Sequence, residues 1–331
     1  MKKTIFSGIQ PTGAPTLGTY QGAIKNWRSL QDEYNCFYCV VDMHAITVRQ
    51  DPGELRENAR DLLTLFIACG LDPEKSVLYY QSHVPAHAEL AWILNCFAYM
   101  GELGRMTQFK EKSQKQDNIS AGLFIYPVLQ AADILLYQSD LVPVGEDQRQ
   151  HLELSRDIAQ RFNNIHGDTF TVPEAYIGKL GARIMGLQDP DKKMSKSESD
   201  NDNNLIYLLD EPDQIRNKIK RAKTDSGSEV RYDPSKPGIM NLLDIYCSSS
   251  EKSVTEAEKD FEGINYGKFK EAVGDAVVTA LEPVRKRYRE LSQEKGYIDS
   301  IIRKNGQRAA ETANKTLSEA KKKVGFPNQY L

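Results

Sequence analysis

The chain has 331 residues, of which 43 are Lys or Arg and 46 are Asp or Glu, giving a formal net charge of −3. This balance excludes a protein that coats nucleic acid unspecifically, so any contact with nucleic acid must use a local basic patch. No apolar run approaches the roughly 20 residues of a membrane helix, and the amino terminus lacks a signal-peptide pattern. All of the five cysteines except Cys247 lie in apolar segments, which is typical of unpaired thiols in a reducing compartment. We therefore expect a cytoplasmic protein that does not bind a membrane.

Strand and helix patterns alternate over the first part of the chain. Short β-type runs predict strands at 4–7, 37–41, 77–80 and 141–144. Helices are predicted at 20–34, 54–69, 86–100, 127–137 and 148–162, with Pro127 at the first position of its helix. The alternation predicts an α/β fold with a doubly wound, parallel, Rossmann-like sheet. Ligands of such sheets bind at the carboxyl ends of the strands.

From about residue 205 the strand pattern fades. Helices are predicted at 205–223, 239–249, 268–291 and 297–324. The stretch 186–204 is rich in Asp, Lys, Ser and Asn, as is typical of a loop that marks a boundary. We therefore predict a nucleotide-binding domain over 1–204 and a C-terminal all-helical region over 205–331.

Two spacings resemble metal motifs, but neither predicts a metal site. Cys36 and Cys39 fall in a strand, where positions three apart point to opposite faces, and no second cysteine pair completes a zinc site. We interpret both as core residues. His83 and His87 have HxxxH spacing, but Pro85 lies between them and no HExxH motif is formed.

A turn rich in glycine and proline follows the first strand, between Ser7 and Tyr20. Its glycines let a ligand approach the backbone closely. A helix beginning near Thr19 would direct free N–H groups to the sheet edge, which favours phosphate. The turn is neither a Walker A loop nor a GxGxxG motif, and on composition alone an ordinary connection is the commoner interpretation.

Lysines cluster within the polar loop, where residues 192–197 read Lys-Lys-Met-Ser-Lys-Ser. Such lysines can reach a polyphosphate and stabilise charge on a transferring phosphoryl group. By themselves they are more typical of a solvated surface.

Tyr126, Gln130, Asp133 and Tyr137 share one face of a predicted helix, because they are spaced by four, three and four residues. A polar stripe on an apolar helix usually faces solvent. The alternative is the floor of a ligand pocket, and the pattern alone leaves both interpretations open.

Two further signals have a structural and a functional interpretation. Asp147 and Gln150 have the spacing of a capping box at the start of a helix, or Asp147 belongs to a ligand site that follows the strand. His44 follows the second strand and either borders a pocket or has a structural role.

The turn and the lysine loop together resemble the two signatures of class I aminoacyl-tRNA synthetases. Pro-Thr-Gly-x-x-Thr-Leu-Gly at 11–18 is similar to the HIGH signature in its variant without histidine, and 193–197 matches the KMSKS signature in full. Their order and separation are those of the family. More specifically, the bacterial-type tryptophanyl-tRNA synthetases resemble this chain at 6–13, 126–127, 131–135 and 144–148. The similarity spans essentially the whole chain and is strongest before residue 200.

The resemblance implies a tryptophan–tRNA ligase. The tryptophan carboxylate would attack the α-phosphate of ATP, giving tryptophanyl-adenylate and pyrophosphate, and a ribose hydroxyl of the tRNA 3′ end would then attack the activated carbonyl. The resemblance further implies Mg²⁺ accompanying ATP, a homodimer, and anticodon binding by 205–331, with the last helix packed back on the catalytic domain. Lys and Arg of the helical region would hold phosphates of tRNA(Trp). The local basic clusters are Arg216, Lys218, Lys220 and Arg221; Arg285, Lys286 and Arg287; and Lys321, Lys322 and Lys323.

Site residues are implied by the same resemblance. Lys193 and Lys196 would clamp the transition state, with Lys112 as a weaker third. The residues implied to bind ATP are Gln10, Pro11, Thr12, Gly18, Thr19, Gly145, Glu146, Asp147, Ile184, Lys193, Met194, Ser195, Lys196 and Ser197. Those implied to bind tryptophan are Asp133, Phe6, Tyr126, Gln130, His44, Val142, Val144 and Gln148. Asp133 would accept the indole N–H, which only donates, so the site should reject phenylalanine.

Two positions depart from the family pattern. Thr19 stands where Asn is common, although its hydroxyl can still cap the helix. Gln130 stands where bacterial relatives often carry Met beside the indole, and it offers an additional polar partner. Three other functions remain open: a tyrosyl-tRNA synthetase, a nucleotidyltransferase that never touches tRNA, and a non-catalytic paralogue that senses tryptophan or a nucleotide. The helical region argues against the second. Lys193 and Lys196 argue against the third, whereas Thr19 keeps it open.

Overall fold

The computed structural model describes residues 2–114, 118–145, 148–176, 183–194 and 201–327, except for the side chain of Lys112. Within these ranges, five strands form one parallel sheet in the order β3-β2-β1-β4-β5. The strands are β1 (Thr4–Ile9), β2 (Asn35–Val40), β3 (Val77–Tyr80), β4 (Leu141–Val142) and β5 (Glu174–Ala175). The order confirms the predicted doubly wound α/β fold and places its topological switch point beside β1.

Helices separate the strands, and further helices follow β5. They are α1 (Leu17–Thr19), α2 (Lys25–Leu30), α3 (Asp42–Ala45), α4 (Pro52–Ala68), α5 (Ala86–Asn95), α6 (Met100–Leu103), α7 (Thr107–Ser113), α8 (Ala121–Leu135), α9 (Arg149–His166), α10 (Pro212–Lys220), α11 (Pro237–Ser250), α12 (Val254–Asp260), α13 (Tyr266–Gln293) and α14 (Lys295–Lys323). A π-helical segment, Tyr20–Ile24, joins α1 to α2, and a 3₁₀ turn follows β3 at Gln81–His83. None of the helices within the described ranges has the length and apolarity to cross a membrane.

The start of α8 differs from the sequence-based expectation. The helix begins at Ala121, and Pro127 lies inside it rather than at its first position. Ser120 explains the earlier start, because its hydroxyl accepts the N–H of Leu123 at 3.2 Å and so caps the helix. The prediction of a helix over 127–137 was therefore wrong at its amino-terminal end.

The segment after residue 204 also differs, because the predicted helix 205–223 begins only at Pro212. The residues before it are held by the amino-terminal turn. The N–H of Leu17 donates to the carbonyl of Ile206 at 2.7 Å, and the N–H of Leu208 donates to that of Pro15 at 3.1 Å. Pairing with a distant segment thus overrides the local helical pattern.

The sheet is buried on both faces, as expected for parallel strands covered by helices. Cys36 and Cys39 belong to different hydrophobic clusters, which confirms that they are core residues on opposite faces of β2. One of these clusters is continuous from Ile5 through Leu205 to Ile302. The hydrophobic core therefore crosses the position of the predicted domain boundary.

The last helix, α14, packs against β3 and α5. Ion pairs support this contact, since Lys304 lies 2.7 Å from Glu74 and Lys321 lies 2.9 Å from Glu89. The ammonium of Lys323 donates to the carbonyl of Asp168 at 2.6 Å. Two lysines of the third basic cluster thus bind α14 to the rest of the chain.

Lys218 of α10 is a buried cation where the loop meets the helical region. Its Nζ lies 2.9 Å from Asp210 and 3.1 Å from Asp202, and it lies 4.9 Å from the ring centroid of Tyr207. Asp210 is itself buried, and Lys218 is the cation paired with its carboxylate.

We predict that Lys218→Met lowers the free energy of unfolding by about 3 kcal/mol, because Asp210 then stays buried without its cation. Urea unfolding measures the change. Lys220→Met, at an exposed position of the same helix, is the control and should change stability by no more than about 0.5 kcal/mol. Equal losses in the two variants would contradict the importance of the buried pair.

Candidate functional site

Thr16 ends the turn that follows β1. It is 2% exposed and is the N-cap of α1, because its hydroxyl accepts the N–H of Thr19 at 3.3 Å. The helix therefore begins at Leu17, and the expectations of a start near Thr19 and of capping by Thr19 were wrong. The hydroxyl of Thr19 lies 3.3 Å from that of Thr16, at the beginning of the helix.

Met194 is the point where the two sequence signatures meet. Its carbonyl accepts the hydroxyl of Thr16 at 3.1 Å, and its side chain is fully buried. The same carbonyl lies against Gly18, where an added Cβ would come within 2.7 Å of the oxygen. Only glycine permits this approach without a shift of the backbone. The structure thus brings the amino-terminal turn and the lysine loop into direct contact.

Backbone hydrogen bonds fix the segment that leads into the lysine loop. The N–H of Met194 donates to the carbonyl of Ile184 at 3.0 Å, and Lys193 forms an antiparallel bridge with Met185. Ile184 is buried, whereas the side chain of Lys193 is exposed. Lys193 is therefore held at the surface next to the turn. The predicted residues Ser195, Lys196 and Ser197 lie outside the described residues.

The remaining candidates for ATP binding follow β1 and β4. Gln10 and Thr12 are exposed and Pro11 is buried in the turn after β1, and Gly145 is exposed after β4. Because β1 and β4 are parallel neighbours, their carboxyl ends meet at the same edge of the sheet. The backbone of Lys112 lies in α7. The side chain of Lys112, together with Glu146 and Asp147, lies outside the described residues.

Asp133 of α8 is the centre of a buried polar cluster. Its Oδ2 lies 2.7 Å from Nε2 of His44, and its Oδ1 lies 2.6 Å from Nδ1 of His87 and 2.7 Å from Nε2 of Gln81. Asp133 is 1% exposed, and its three partners are also buried. The interpretation of the polar stripe as a solvent face is therefore wrong at Asp133.

The carboxyl of Asp133 is a stable anion. Burial raises its pKa, but the charges and hydrogen bonds of His44 and His87 outweigh burial and hold the pKa well below the ordinary value. Because the carboxylate only accepts hydrogen bonds, both imidazole nitrogens that face it must carry protons. The cluster is thus an anionic acceptor enclosed by donors.

The other residues of the stripe also face the interior. The hydroxyl of Tyr126 lies 2.9 Å from Nε2 of His151. The ring of Tyr126 meets that of His44 edge-on, at 6.2 Å between centroids. Gln130 is half-buried, and its amide donates to Oε1 of Gln148 at 3.4 Å. The structure thus brings together four predicted tryptophan-site residues as two neighbouring pairs.

The apolar candidates lie on the two strands that flank the switch point. Phe6 of β1 and Val142 of β4 are each 4% exposed, and Val144 is half-buried after β4. The ring of Phe6 stacks on that of Tyr137 at 5.8 Å. Tyr137 is itself buried beyond the end of α8.

Gln150 contacts the start of α7. Its Oε1 accepts the N–H of Thr107 at 2.9 Å, whereas Asp147, its partner in the possible capping box, lies outside the described residues. The side chain of Gln150 therefore ties α9 to the start of α7.

Thr16, Gln81 and His87 contact predicted site residues but were not themselves predicted. Gln81 directly follows β3, so its position at the carboxyl edge of the sheet was a usable signal. His87 was considered only as a zinc ligand through its spacing from His83. Its contact with Asp133 joins α5 to α8, and no local pattern encodes such a contact.

The comparisons with known proteins agree with this arrangement. Residues 2–282 match the family model of tRNA synthetases class I (W and Y). The chain is 58% identical over 326 residues to the tryptophan–tRNA ligase of Clostridium tetani, covering 98% of this chain and 96% of that protein. Tryptophanyl-tRNA synthetase from Mycoplasma pneumoniae superposes with a TM-score of 0.91 at 37% identity, with 99% of each chain covered. The enzyme from Campylobacter jejuni, complexed with ADP and tryptophan, superposes with a TM-score of 0.85 at 34% identity, covering 98% of this chain and 100% of that one.

The sheet order and the contact between the two signatures are those expected of a class I synthetase. These comparisons confirm the resemblance seen in the sequence. The chain belongs to the family of tRNA synthetases class I (W and Y) and, within it, to the bacterial-type tryptophanyl-tRNA synthetases.

We predict that Gly18→Ala lowers the rate of tryptophan-dependent ATP–pyrophosphate exchange by about tenfold or more, because the new Cβ pushes the Met194 carbonyl away and misplaces the lysine loop. Gly22→Ala is the matched control, since a Cβ at Gly22 meets nothing within 4 Å. Comparable rates for the two variants would show that the contact between Gly18 and Met194 has no catalytic role.

Proposed function

We propose that the chain activates L-tryptophan with ATP and loads it onto tRNA(Trp). A carboxylate oxygen of tryptophan attacks the α-phosphorus of ATP, and the bond to pyrophosphate breaks. A ribose hydroxyl of the tRNA 3′ end then attacks the adenylate carbonyl, and AMP leaves. The observation that carries the proposal is the contact of Met194 with Thr16 and Gly18, which joins the lysine loop to the turn after β1.

On the phosphate side, Lys193 is the proposed clamp, because its side chain is exposed beside the turn. Lys196 and Lys112 are proposed as further cations. Positioned cations stabilise the charge that develops on the transferring group. The ADP in the Campylobacter jejuni relative supports ATP as the substrate.

Mg²⁺ is proposed to enter with ATP. This ion is usually held by substrate phosphates, water and one or two carboxylates rather than by a protein cage. Among the described residues, no three or more His, Cys, Asp and Glu side chains are grouped to hold a metal ion.

On the tryptophan side, Asp133 is proposed to accept the indole N–H. An ionised, buried carboxylate suits a ligand group that only donates. Phenylalanine has no N–H to donate to this anion. The phenol of tyrosine both donates and accepts, so it does not match a carboxylate that only accepts. Both amino acids should therefore be rejected. Tyr126, Gln130, Gln148, His44, Phe6, Val142 and Val144 are proposed to surround the ligand.

The helical region is proposed to bind the anticodon of tRNA, as the resemblance implies. Arg285 is unsuited to this contact, because it is buried and donates to the carbonyl of Val278. Lys218 is likewise paired inside the protein. The basic residues proposed to hold tRNA phosphates are the exposed members of the three clusters: Arg216, Lys220, Arg221, Lys286, Arg287 and Lys322.

We place the reaction in the cytoplasm, where the unpaired state of all five cysteines is usual.

We expect ATP–pyrophosphate exchange to depend on tryptophan when each standard amino acid is tested separately. A charging assay with tRNA(Trp) measures the second step. Preferred exchange with tyrosine would overturn the amino-acid assignment. Exchange without charging would favour a nucleotidyltransferase or an adenylate-forming paralogue.

A homodimer is proposed to form through an exposed apolar patch on α5 and α6. The patch consists of Trp92, Tyr99 and Met100, which are 69%, 57% and 73% exposed. Exposed patches of large apolar side chains mark protein interfaces, in which aromatic residues and Met are enriched. Trp92 lies in α5, Tyr99 is the N-cap of α6 and Met100 is its first residue, so all three fall between residues 92 and 100.

We predict that Trp92→Glu converts the dimer to a monomer at micromolar concentration, because a carboxylate would be buried without a partner. Analytical ultracentrifugation measures the mass. Tyr297→Glu, at another exposed aromatic position, is the control and should leave the mass of the wild type. A Trp92→Glu protein that stays dimeric would place the interface elsewhere.

A further inference from the structure

The two oxygens of Asp133 have different partners. Oδ1 accepts the ring N–H of His87 and the amide N–H of Gln81, whereas Oδ2 has His44 as its donor among the described residues. A carboxylate oxygen has two main acceptor sites. Gln81 and His87, which both follow β3 in the chain, therefore occupy the two acceptor sites of Oδ1, while Oδ2 keeps an acceptor site for a ligand.

His87 is fixed from its other side by two phenols. Its Nε2 lies 3.0 Å from the hydroxyl of Tyr137 and 3.4 Å from that of Tyr79. The ring of Tyr137 stacks on that of Phe37 of β2 at 4.4 Å between centroids. His87 has no exposed surface. The imidazole is thus held between the sheet core and Asp133, with its Nδ1 proton directed at Oδ1.

We propose that His87 is a positioning residue that sets the specificity for tryptophan. It keeps Asp133 ionised and in the rotamer that offers Oδ2 to the indole N–H, and it does not touch the substrate itself. Tyr137 in turn holds the His87 ring. This inference rests on the proposed function, in which Asp133 binds the indole.

Titration of the cluster distinguishes this role from simple packing. Besides His87, the titratable groups that face Asp133 are His44 of α3, Cys39 of β2, Tyr79 of β3 and Tyr137 after α8. Burial raises the pKa of Cys39, Tyr79 and Tyr137, so these three stay neutral at neutral pH. Loss of the His87 donor raises the pKa of Asp133. In a variant without this donor, kcat/KM for tryptophan should therefore begin to fall at a higher pH than in the wild type as the solution is acidified.

The test compares His87→Gln with His87→Asn in the full-length enzyme. The amide of Asn replaces Nδ1 and keeps the donor to Oδ1, whereas the amide of Gln replaces Nε2 and loses it. In pyrophosphate exchange, His87→Gln should raise the KM for tryptophan by about tenfold and leave the KM for ATP within about twofold. His87→Asn should restore most of the tryptophan KM. The acid limb of kcat/KM for tryptophan should shift to higher pH in the Gln variant only.

His83→Asn is the matched control, because this exposed histidine ends the 3₁₀ turn that contains Gln81 and has no contact with Asp133 among its described contacts. It should leave both KM values unchanged. Equal KM values for tryptophan in the Gln and Asn variants of His87, with equal pH profiles, would overturn the inference.

A second variant decides the question if His87→Gln does not fold. Tyr137→Phe removes only the hydroxyl beside Nε2 of His87 and should raise the tryptophan KM by about threefold. An unchanged tryptophan KM in Tyr137→Phe would then overturn the inference.

Asp133→Asn separates this inference from the proposed function. An unchanged tryptophan KM in Asp133→Asn would remove Asp133 from the binding site, and the inference would fall with it. A raised KM in Asp133→Asn together with wild-type behaviour of the His87 variants would overturn the inference alone.

Discussion

The carbonyl of Met194 lies against Gly18 and accepts the Thr16 hydroxyl, and the arrangement of the site depends on this contact. It joins segments that are 178 residues apart in the chain. Because glycine has no Cβ, two backbones approach more closely here than other residues allow. The buried side chain of Met194 anchors the loop, while the neighbouring side chain of Lys193 is left exposed. Met194 thus anchors the loop, and the adjacent Lys193 exposes its charge at the surface.

The proposed tryptophan side of the site is physically different, because its central charge is buried. Removing a carboxylate from water costs free energy unless donors replace the solvent. His44, Gln81 and His87 supply these donors around Asp133. An enclosed acceptor discriminates between ligands by whether they complete its hydrogen bonds, whereas exposed lysines respond mainly to charge. One sheet edge therefore combines a selective buried anion with less selective surface cations.

The first four strands were predictable because they are short, largely apolar runs bounded by turn residues, and parallel strands are buried on both faces. β4 and β5 span two residues each, so the predicted strand at 141–144 was too long and β5 carried too little pattern to be detected. Pro127 misled the prediction of α8, since the cap at Ser120 starts the helix earlier. At 205–208, pairing with the amino-terminal turn outweighed a helical pattern.

The sequence by itself determined the fold class, the family, and the segments that carry the two signatures, because periodicity and local residue order are properties of the chain alone. Only the tertiary structure decided which partners meet. The donors to Asp133 come from separate elements, and His87 could be recognised as one of them only when α5 and α8 were packed together. Likewise, Lys218 and Lys321 resemble their exposed basic neighbours in sequence, yet they form ion pairs that hold the protein together. Hydrogen bonds and ion pairs between distant segments depend on distance in space, which sequence spacing does not encode.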